Sequence, residues 1–286
     1  MGTRQHPVVV VVGGGKMGSA VVSGWLASDA VPADAIDAKD VIVVNPGEAK
    51  RVALAERYGV ATVADVSEIT RADVVVLAVK PQVMMGVLED ISRNPAFVHA
   101  ASAPDEGVLF VSVAAGLATA KLQAALPKDA RLVRVMPNTP LTVGQGATGV
   151  CAGATATAED LDYVHALFSC LGTAVIVDES LMDVVGALSG SGPAYVAAMV
   201  ESLRDASVAC GLDAQLAEQL ALQTVYGTAV QILETGESVA HAREAVCSPG
   251  GSTLAALAAM DEAGFDQVFK AGIEAAVKRN IELGAC

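Results

Sequence analysis

The chain has few aromatic residues and a shortage of basic ones. Only 3% of its 286 residues are aromatic although 53% are hydrophobic, so its core must be built from Ala, Val and Leu. With 18 basic against 32 acidic residues, the net charge is −14, which argues against binding to nucleic acid or to an anionic membrane surface. A globular chain of this length forms one large or two ordinary domains.

Cysteine and histidine are too few and too scattered to indicate a metal or disulfide site. The five cysteines are odd in number and contain no C-x-x-C pair, so we expect reduced thiols and no zinc. The four histidines fall in no ligand spacing. An early apolar run stops after five valines and leads into glycines, unlike a secretion signal. We therefore expect a cytoplasmic protein without a bound metal.

The most informative stretch is this valine run and the closely spaced glycines after it. Residues 8–12 are too few to span a membrane and too β-branched to favour a helix, so they predict a strand buried on both faces of a parallel sheet. Gly13, Gly15 and Gly18 match G-x-G-x-x-G, whose glycines permit a tight turn, a pyrophosphate against bare backbone, and close helix–strand packing. The N–H groups of the following helix would bind the anion. This stretch predicts a dinucleotide site; a glycine-rich turn without a ligand is the alternative.

The first part of the chain alternates strands and helices, which is typical of a doubly wound α/β domain. Further strands are predicted at residues 41–44, 60–63, 73–79, 109–112, 131–136, 146–152 and 174–177. Helices are predicted at residues 15–28, 48–58, 118–126 and 158–171. We therefore predict a Rossmann-type, mostly parallel sheet domain over residues 1–178.

From about residue 179 the pattern becomes all helical. Helices are predicted at residues 181–188, 194–210, 213–235, 238–246, 253–260 and 266–283, with a break at 189–193. Residues 217–233 are apolar nearly all round, which one chain's own core cannot easily bury, so they indicate an oligomer interface. We predict an all-α domain over residues 179–286.

The end of the second predicted strand bears on cofactor choice. An NAD-preferring site places Asp or Glu there to hold the ribose 2′-hydroxyl, whereas this chain has the neutral Asn45. Nothing at that position repels a 2′-phosphate; Glu48 is close in sequence, and Lys50 and Arg51 are the nearby cations. We expect NADPH as the preferred cofactor, with NADH second.

A second glycine-rich loop lies at residues 246–253. Its Gly250 and Gly251, together with the hydroxyls of Ser248, Ser252 and Thr253, lead directly into a helix, which suits the binding of an anion. Capping of that helix by Ser252 or Thr253 explains the same residues equally well.

Six motifs, in this order, closely resemble those of pyrroline-5-carboxylate reductase, the last enzyme of proline synthesis. They are VGGGKM at 12–17, AVKP at 78–81, AAG at 114–116, VMPNTP at 135–140, LSGSGPAY at 188–195 and SPGGST at 248–253. The likeness covers nearly the whole chain. It implies a Rossmann domain, then a helical substrate-binding and dimerisation domain that intertwines with a partner subunit, often within decamers. The implied reaction is NAD(P)H-dependent reduction of 1-pyrroline-5-carboxylate to L-proline.

The resemblance also implies roles for individual residues, which are the following. The cofactor pyrophosphate would lie against Val12, Gly13, Gly14, Gly15, Lys16 and Met17, and its 2′-phosphate would face Asn45. The adenosine side would be lined by Ala78, Val79, Lys80 and Pro81, and the nicotinamide side by Ala114, Ala115 and Gly116. The substrate would be bound by Ser248, Gly250, Gly251, Ser252 and Thr253. Of these, Ser248 and Thr253 would be the catalytic pair, with the Thr253 hydroxyl meeting the ring nitrogen.

The chain departs from the family pattern at three positions. Many relatives have Asn at the position of Val66, so one cofactor hydrogen bond would be missing here. Thr is commoner than Cys at position 247, and Thr or Ala is commoner than Ser at position 252. Neither of the loop changes touches Ser248 or Thr253, so cofactor preference is affected more than substrate binding.

The implied chemistry agrees with the scarcity of acid–base candidates. A cyclic imine needs a hydride and a protonated nitrogen, and that nitrogen can arrive protonated from solution, so no dedicated acid or base is required. A β-hydroxyacid dehydrogenase, the alternative enzyme, would need a lysine after the stretch at 189–192, but none occurs from Ala187 up to Lys270. A dinucleotide-binding sensor without turnover, the second alternative, would leave the hydroxyls of Ser248 and Thr253 without a role.

Overall fold

Valine-rich strands form the centre of a parallel sheet. The structure, a computed structural model, describes residues 7–27, 36–98 and 107–285. In it β1 (Val9–Val12) lies between β2 (Val41–Val44) and β4 (Val74–Leu77) and is parallel to both. All four side chains of β1 and of β4 are buried, as expected of a strand covered on both faces.

The rest of the sheet extends from this centre in both directions. Its other strands are β3 (Ala61–Val63), β5 (Leu109–Ser112), β6 (Arg131–Met136), β7 (Gly146–Ala152) and β8 (Gly172–Ile176). The strand order is β3-β2-β1-β4-β5-β6-β7-β8, with β7 antiparallel to β6 and parallel to β8. The predicted Rossmann-type, mostly parallel sheet is confirmed, and β8 begins slightly earlier than predicted.

Helices cover both faces of the sheet. They are α1 (Lys16–Ala27), α2 (Glu48–Tyr58), α3 (Pro81–Arg93), α4 (Thr119–Ala125) and α5 (Ala158–Ser169). The odd-numbered valines of β1 pack with α1 and α5, and the even-numbered ones pack with α3 and α4. The predicted end of α1 at Ser28, like Cys286 and two of the histidines, His6 and His99, lies outside the described residues.

The sequence predicts a strand that ends at residue 79, but it does not predict α3, the helix that follows this strand. Pro81 occupies the first turn of the helix, where its missing N–H costs no hydrogen bond. Met84, Leu88 and Ile91 are fully buried and recur at helical spacing. This spacing in the sequence indicates a helix. Pro81 points instead to a turn, because proline is common both in turns and in the first turn of a helix.

The contacts divide the described chain into two units. One contains the residues up to Ser191 together with those from Ala276 onward, and the other is Gly192–Ala275. The segment from residue 179 to Ser191 belongs to the first unit. In it, Glu179 and Asp183 pair with the buried Arg134 of β6, at 3.4 and 3.7 Å. The division into domains after residue 178 stays a prediction.

The helical part of the chain begins with a short helix and a π-helical turn. Its helices are α6 (Met182–Val185), α7 (Gly192–Ala209), α8 (Ala214–Thr235), α9 (Val239–Ala245), α10 (Ser252–Glu262) and α11 (Phe265–Ala285). The α-helix is interrupted near the predicted break at 189–193, but with other bounds: a π-helical turn at Gly186–Gly190 is followed by a bend at Ser191, and α7 starts at Gly192. Asp213, the first residue of the predicted helix at 213–235, is the N-cap of α8, since its side chain accepts hydrogen bonds from two amides of the first turn.

The second unit buries few of its own side chains. Leu220, Tyr226, Leu233 and Val268 are each more than half exposed. Within the described ranges, every helix is either too short or too polar to cross a bilayer. So much exposed apolar surface is typical of a face that is covered by another protein chain.

Candidate functional site

The glycine turn after β1 shows the close contacts that its sequence predicts. Gly13 has a φ of 111°, and a Cβ there would lie 2.7 Å from the carbonyl oxygen of Ala78. A Cβ on Gly18 would lie 2.0 Å from the carbonyl oxygen of Gly13. A side chain at Gly13 would collide with the backbone that follows β4, and one at Gly18 would push α1 away from the glycine turn, so both glycines serve close packing.

Gly15 differs from the other two glycines of the motif because it faces open space. A Cβ on Gly15 would meet no described atom within 4 Å. Lys16 begins α1 directly afterwards, so the positive end of the helix dipole and its N–H groups lie at this opening. The turn therefore combines two packing glycines with one that leaves room for a phosphate.

The strand order brings the predicted cofactor residues to one edge of the sheet. β2, which leads to Asn45, lies on one side of β1, and β4, which leads to residues 78–81, lies on the other. β5, which leads to residues 114–116, is next to β4. In an open parallel sheet the reversal of strand order marks the crevice where ligands bind. The glycine turn lies at this reversal.

At the end of β2, Asn45 is accompanied by a fixed cation. Its amide nitrogen Nδ2 donates to the carbonyl of Gly47 at 3.2 Å. The Arg51 guanidinium donates to the carbonyls of Asn45 and Pro46 at 2.9 and 2.8 Å. The sequence indicates both Lys50 and Arg51 as cations that could bind a 2′-phosphate, and the structure places Arg51 beside Asn45. A neutral amide beside an arginine suits a phosphate group.

Val66 offers no polar atom to a cofactor. Its side chain is only 5% exposed and packs into the core. It lies in a short turn whose capping box is formed by Asp65 and Glu68. The Val66 side chain is therefore a packing residue, at the position where the family resemblance leads us to expect a missing cofactor hydrogen bond.

The second glycine loop ends at the N-terminus of α10. Gly251 is the N-cap residue, and its N–H donates to the carbonyl of Ser248 at 2.9 Å. A Cβ on Gly251 would lie 2.5 Å from Ser248 Oγ, so that hydroxyl lies against the start of the helix. The alternative of capping by Ser252 or Thr253 is wrong, because these are the first two residues of the helix itself. Gly251 has no side chain that could occupy the helix amides.

The motifs at residues 135–140 and 188–195, for which the sequence predicts no role, contact each other through Asn138 and Ser189. Asn138 Nδ2 donates to the carbonyl of Ser189 at 3.0 Å, and Asn138 Oδ1 accepts from the N–H of Ala147 at 2.9 Å. Asn138 is only 7% exposed, so both bonds are shielded from water. This asparagine joins the end of β6 to the start of β7 and to the π-helical turn.

Comparisons with known proteins match both the sheet domain and the helical region of this chain. A family model described as NADP oxidoreductase, coenzyme F420-dependent, matches residues 8–116, and one described as pyrroline-5-carboxylate reductase dimerisation matches residues 179–283. A pyrroline-5-carboxylate reductase from Synechocystis sp. is 38% identical over 275 residues, covering 96% of this chain and 97% of that protein.

Two solved structures extend the comparison to the fold. The structure of a pyrroline-5-carboxylate reductase from Coxiella burnetii has a TM-score of 0.86 at 34% identity, covering 98% of this chain and 99% of that one. A pyrroline carboxylate reductase from Plasmodium falciparum with NADP bound has a TM-score of 0.82 at 28% identity, covering 99% of this chain and all of that one.

The geometry at Asn45 generates a prediction about cofactor choice. Asn45→Asp places a carboxylate where a 2′-phosphate would lie, so KM for NADPH should rise about tenfold more than KM for NADH, through charge repulsion. Steady-state kinetics with each cofactor measures the ratio, and Asn45→Ser, which adds no charge, is the control. Equal effects of Asn45→Asp on both cofactors would show that the 2′-phosphate binds elsewhere.

Proposed function

The chain belongs to the pyrroline-5-carboxylate reductase family, and we propose here how its own residues serve the family's reaction. The protein is an oxidoreductase that reduces 1-pyrroline-5-carboxylate to L-proline with NAD(P)H, the final step of proline biosynthesis. A β-hydroxyacid dehydrogenase and a sensor without turnover are not favoured, because the similarity to reductases of this name extends over nearly the whole chain.

We propose that the cofactor lies along the sheet edge described above. The backbone amides of residues 12–17 would hold the pyrophosphate, and the opening at Gly15 supports this because a phosphate fits there without displacing a side chain. Residues 78–81 would line the adenosine side and residues 114–116 the nicotinamide side. When bound, the cofactor supplies the hydride. NADPH would be preferred to NADH because Arg51 is held beside the neutral Asn45.

We propose that the N-terminus of α10 binds the substrate carboxylate, and this feature is the main structural support for the assignment. The Ser248 hydroxyl and the amides of Ser252 and Thr253 would hold the carboxylate. The Gly251 N–H already donates to the carbonyl of Ser248, so Gly251 would instead form the turn together with Gly250, whose φ is 71°. Since the N-cap is a glycine, no cap side chain competes with the ligand for these amides.

We propose that Thr253 directs the ring nitrogen. Its side chain is half-buried on the first turn of α10, and the capping position belongs to Gly251. Its hydroxyl is therefore not needed for capping and would hydrogen-bond the substrate's nitrogen. Because the iminium arrives protonated, the site contributes orientation and polarity rather than a proton.

We propose a homodimer that assembles further, with decamers as the larger form. The active site would combine the sheet edge of one subunit with residues 248–253 of its partner. The exposed apolar side chains of the second unit support this proposal, because an isolated subunit leaves them in water. We also propose residues 1–178 and 179–286 as the two functional domains, and the cytoplasm as the location.

Sedimentation equilibrium tests the assembly. We expect a mass of at least two chains, because the second unit leaves large apolar side chains exposed. Activity should fall on dilution, because the subunits then separate and the shared site is lost. A monomer with full activity would contradict a site shared between subunits.

Turnover of 1-pyrroline-5-carboxylate by wild-type and Thr253 variants tests the function and its proposed catalytic residue together. NADPH oxidation that requires the imine is expected of the wild type, and its absence would overturn the assigned reaction. Thr253→Ala should lower kcat/KM by roughly tenfold, equivalent to about 1.4 kcal/mol. Thr253→Ser, which keeps the hydroxyl, is the matched control and should retain most activity.

Two further readouts separate catalysis from folding. Tm should change little in either variant because Gly251, not Thr253, is the N-cap, and NADPH affinity without substrate should stay at the wild-type value. An alanine variant with wild-type kcat/KM would remove the hydroxyl from the proposed mechanism.

A further inference from the structure

The last turn of α11 packs backbone against backbone on the loop after β5. A Cβ on Gly284 would lie 2.2 Å from the carbonyl oxygen of Gly116. In the opposite direction, a Cβ on Gly116 would lie 3.0 Å from Leu283 Cβ and 3.3 Å from the backbone nitrogen of Gly284. Gly116 is buried and has a φ of 76°. Two glycines therefore allow helix and loop to approach more closely than side chains would permit.

A side-chain tether fixes this end of α11 to the helical segment after β8. Asn280 Nδ2 donates to the carbonyl of Asp183 at 2.9 Å. A Cβ on Gly186 would lie 3.0 Å from the same nitrogen, so the amide fits closely against the π-helical turn. The helix end is thus held by a hydrogen bond as well as by packing.

The loop is also anchored where it enters α4. The N–H and the hydroxyl of Thr119 each donate to the Glu179 carboxylate at 2.6 Å. That carboxylate pairs at 3.4 Å with Arg134, whose side chain is only 5% exposed. Residues 114–118 therefore run between β5, this ion pair and the end of α11. Glu179 of the ion pair and most of the end of α11 lie within residues 179–283, the region that matches the dimerisation model. Gly284 lies just after this region.

We propose that the last turn of α11, residues 280–284, positions residues 114–116 against the nicotinamide end of the cofactor. The proposal rests on the proposed function, which assigns residues 114–116 to that side. Within this turn, Asn280, Leu283 and Gly284 lie against Gly116; they would act through the loop and are therefore positioning residues. Hydride transfer is sensitive to displacements of about 1 Å, and one added methyl group at Gly284 demands a shift of this size because its Cβ would overlap Gly116.

Binding of two ligands by Gly284→Ala tests the proposal. One ligand is NADPH, and the other is adenosine 2′,5′-bisphosphate, which has the adenosine half and no nicotinamide. A displaced nicotinamide loop should raise Kd for NADPH about tenfold and leave Kd for the bisphosphate within about twofold of the wild-type value. The control is Gly86→Ala, in the exposed part of α3, where a Cβ meets no described atom within 4 Å; both affinities should be unchanged.

Two outcomes for Gly284→Ala would contradict the proposal. Equal weakening of both ligands by Gly284→Ala would indicate general damage to the sheet domain, and unchanged affinities would show that the loop does not depend on α11. If Gly284→Ala fails to fold, Asn280→Ala tests the proposal instead, because it removes the hydrogen bond to Asp183 without adding atoms. It should likewise raise Kd for NADPH while leaving Kd for the bisphosphate unchanged, and an unchanged Kd for NADPH would contradict the proposal. A wild type that binds NADPH but does not reduce the imine would overturn the proposed function and leave this ligand comparison valid.

Discussion

The backbone contact between Gly13, Gly18 and Ala78 at the end of β1 determines where the ligand edge of the molecule lies. With no Cβ at either glycine, the start of α1 packs onto the ends of β1 and β4 at distances that a side chain would prevent. The N–H end of α1 is thereby held at the point where the strand order reverses. Asn45, residues 78–81 and residues 114–116 then follow along one edge, because parallel strands end on the same side.

Anion binding by the N-terminus of a helix is proposed at two places in this acidic protein, at α1 and at α10. With a net charge of −14, the chain has few cations to offer to a phosphate or a carboxylate. The proposed sites at the starts of α1 and α10 instead use backbone amides, each next to a glycine that leaves the helix end accessible. Arg51 supplies the fixed cation where the 2′-phosphate would add charge. A substrate that arrives protonated requires no acid, which agrees with a site built of amides and hydroxyls.

The sequence predicted those features whose cause is local. Runs of β-branched residues gave the strands, and the spacing of Gly13, Gly15 and Gly18 gave the turn. Local preference also misled, because Pro81 suggested a strand end instead of the first turn of α3, and the hydroxyls of Ser252 and Thr253 suggested caps where Gly251 occupies the position. Nothing local relates Gly116 to Gly284, since that contact exists only once α11 and β5 are placed together.

A crystal structure with NADP⁺ and L-proline bound would test the proposed active site most directly. We expect the proline carboxylate to accept hydrogen bonds from Ser248 Oγ and the amides of residues 252 and 253, and the proline ring nitrogen to lie within hydrogen-bonding distance of the Thr253 hydroxyl. The nicotinamide ring should lie against residues 114–116. A proline carboxylate bound away from the N-terminus of α10, or a nicotinamide ring remote from residues 114–116, would contradict the proposed mechanism.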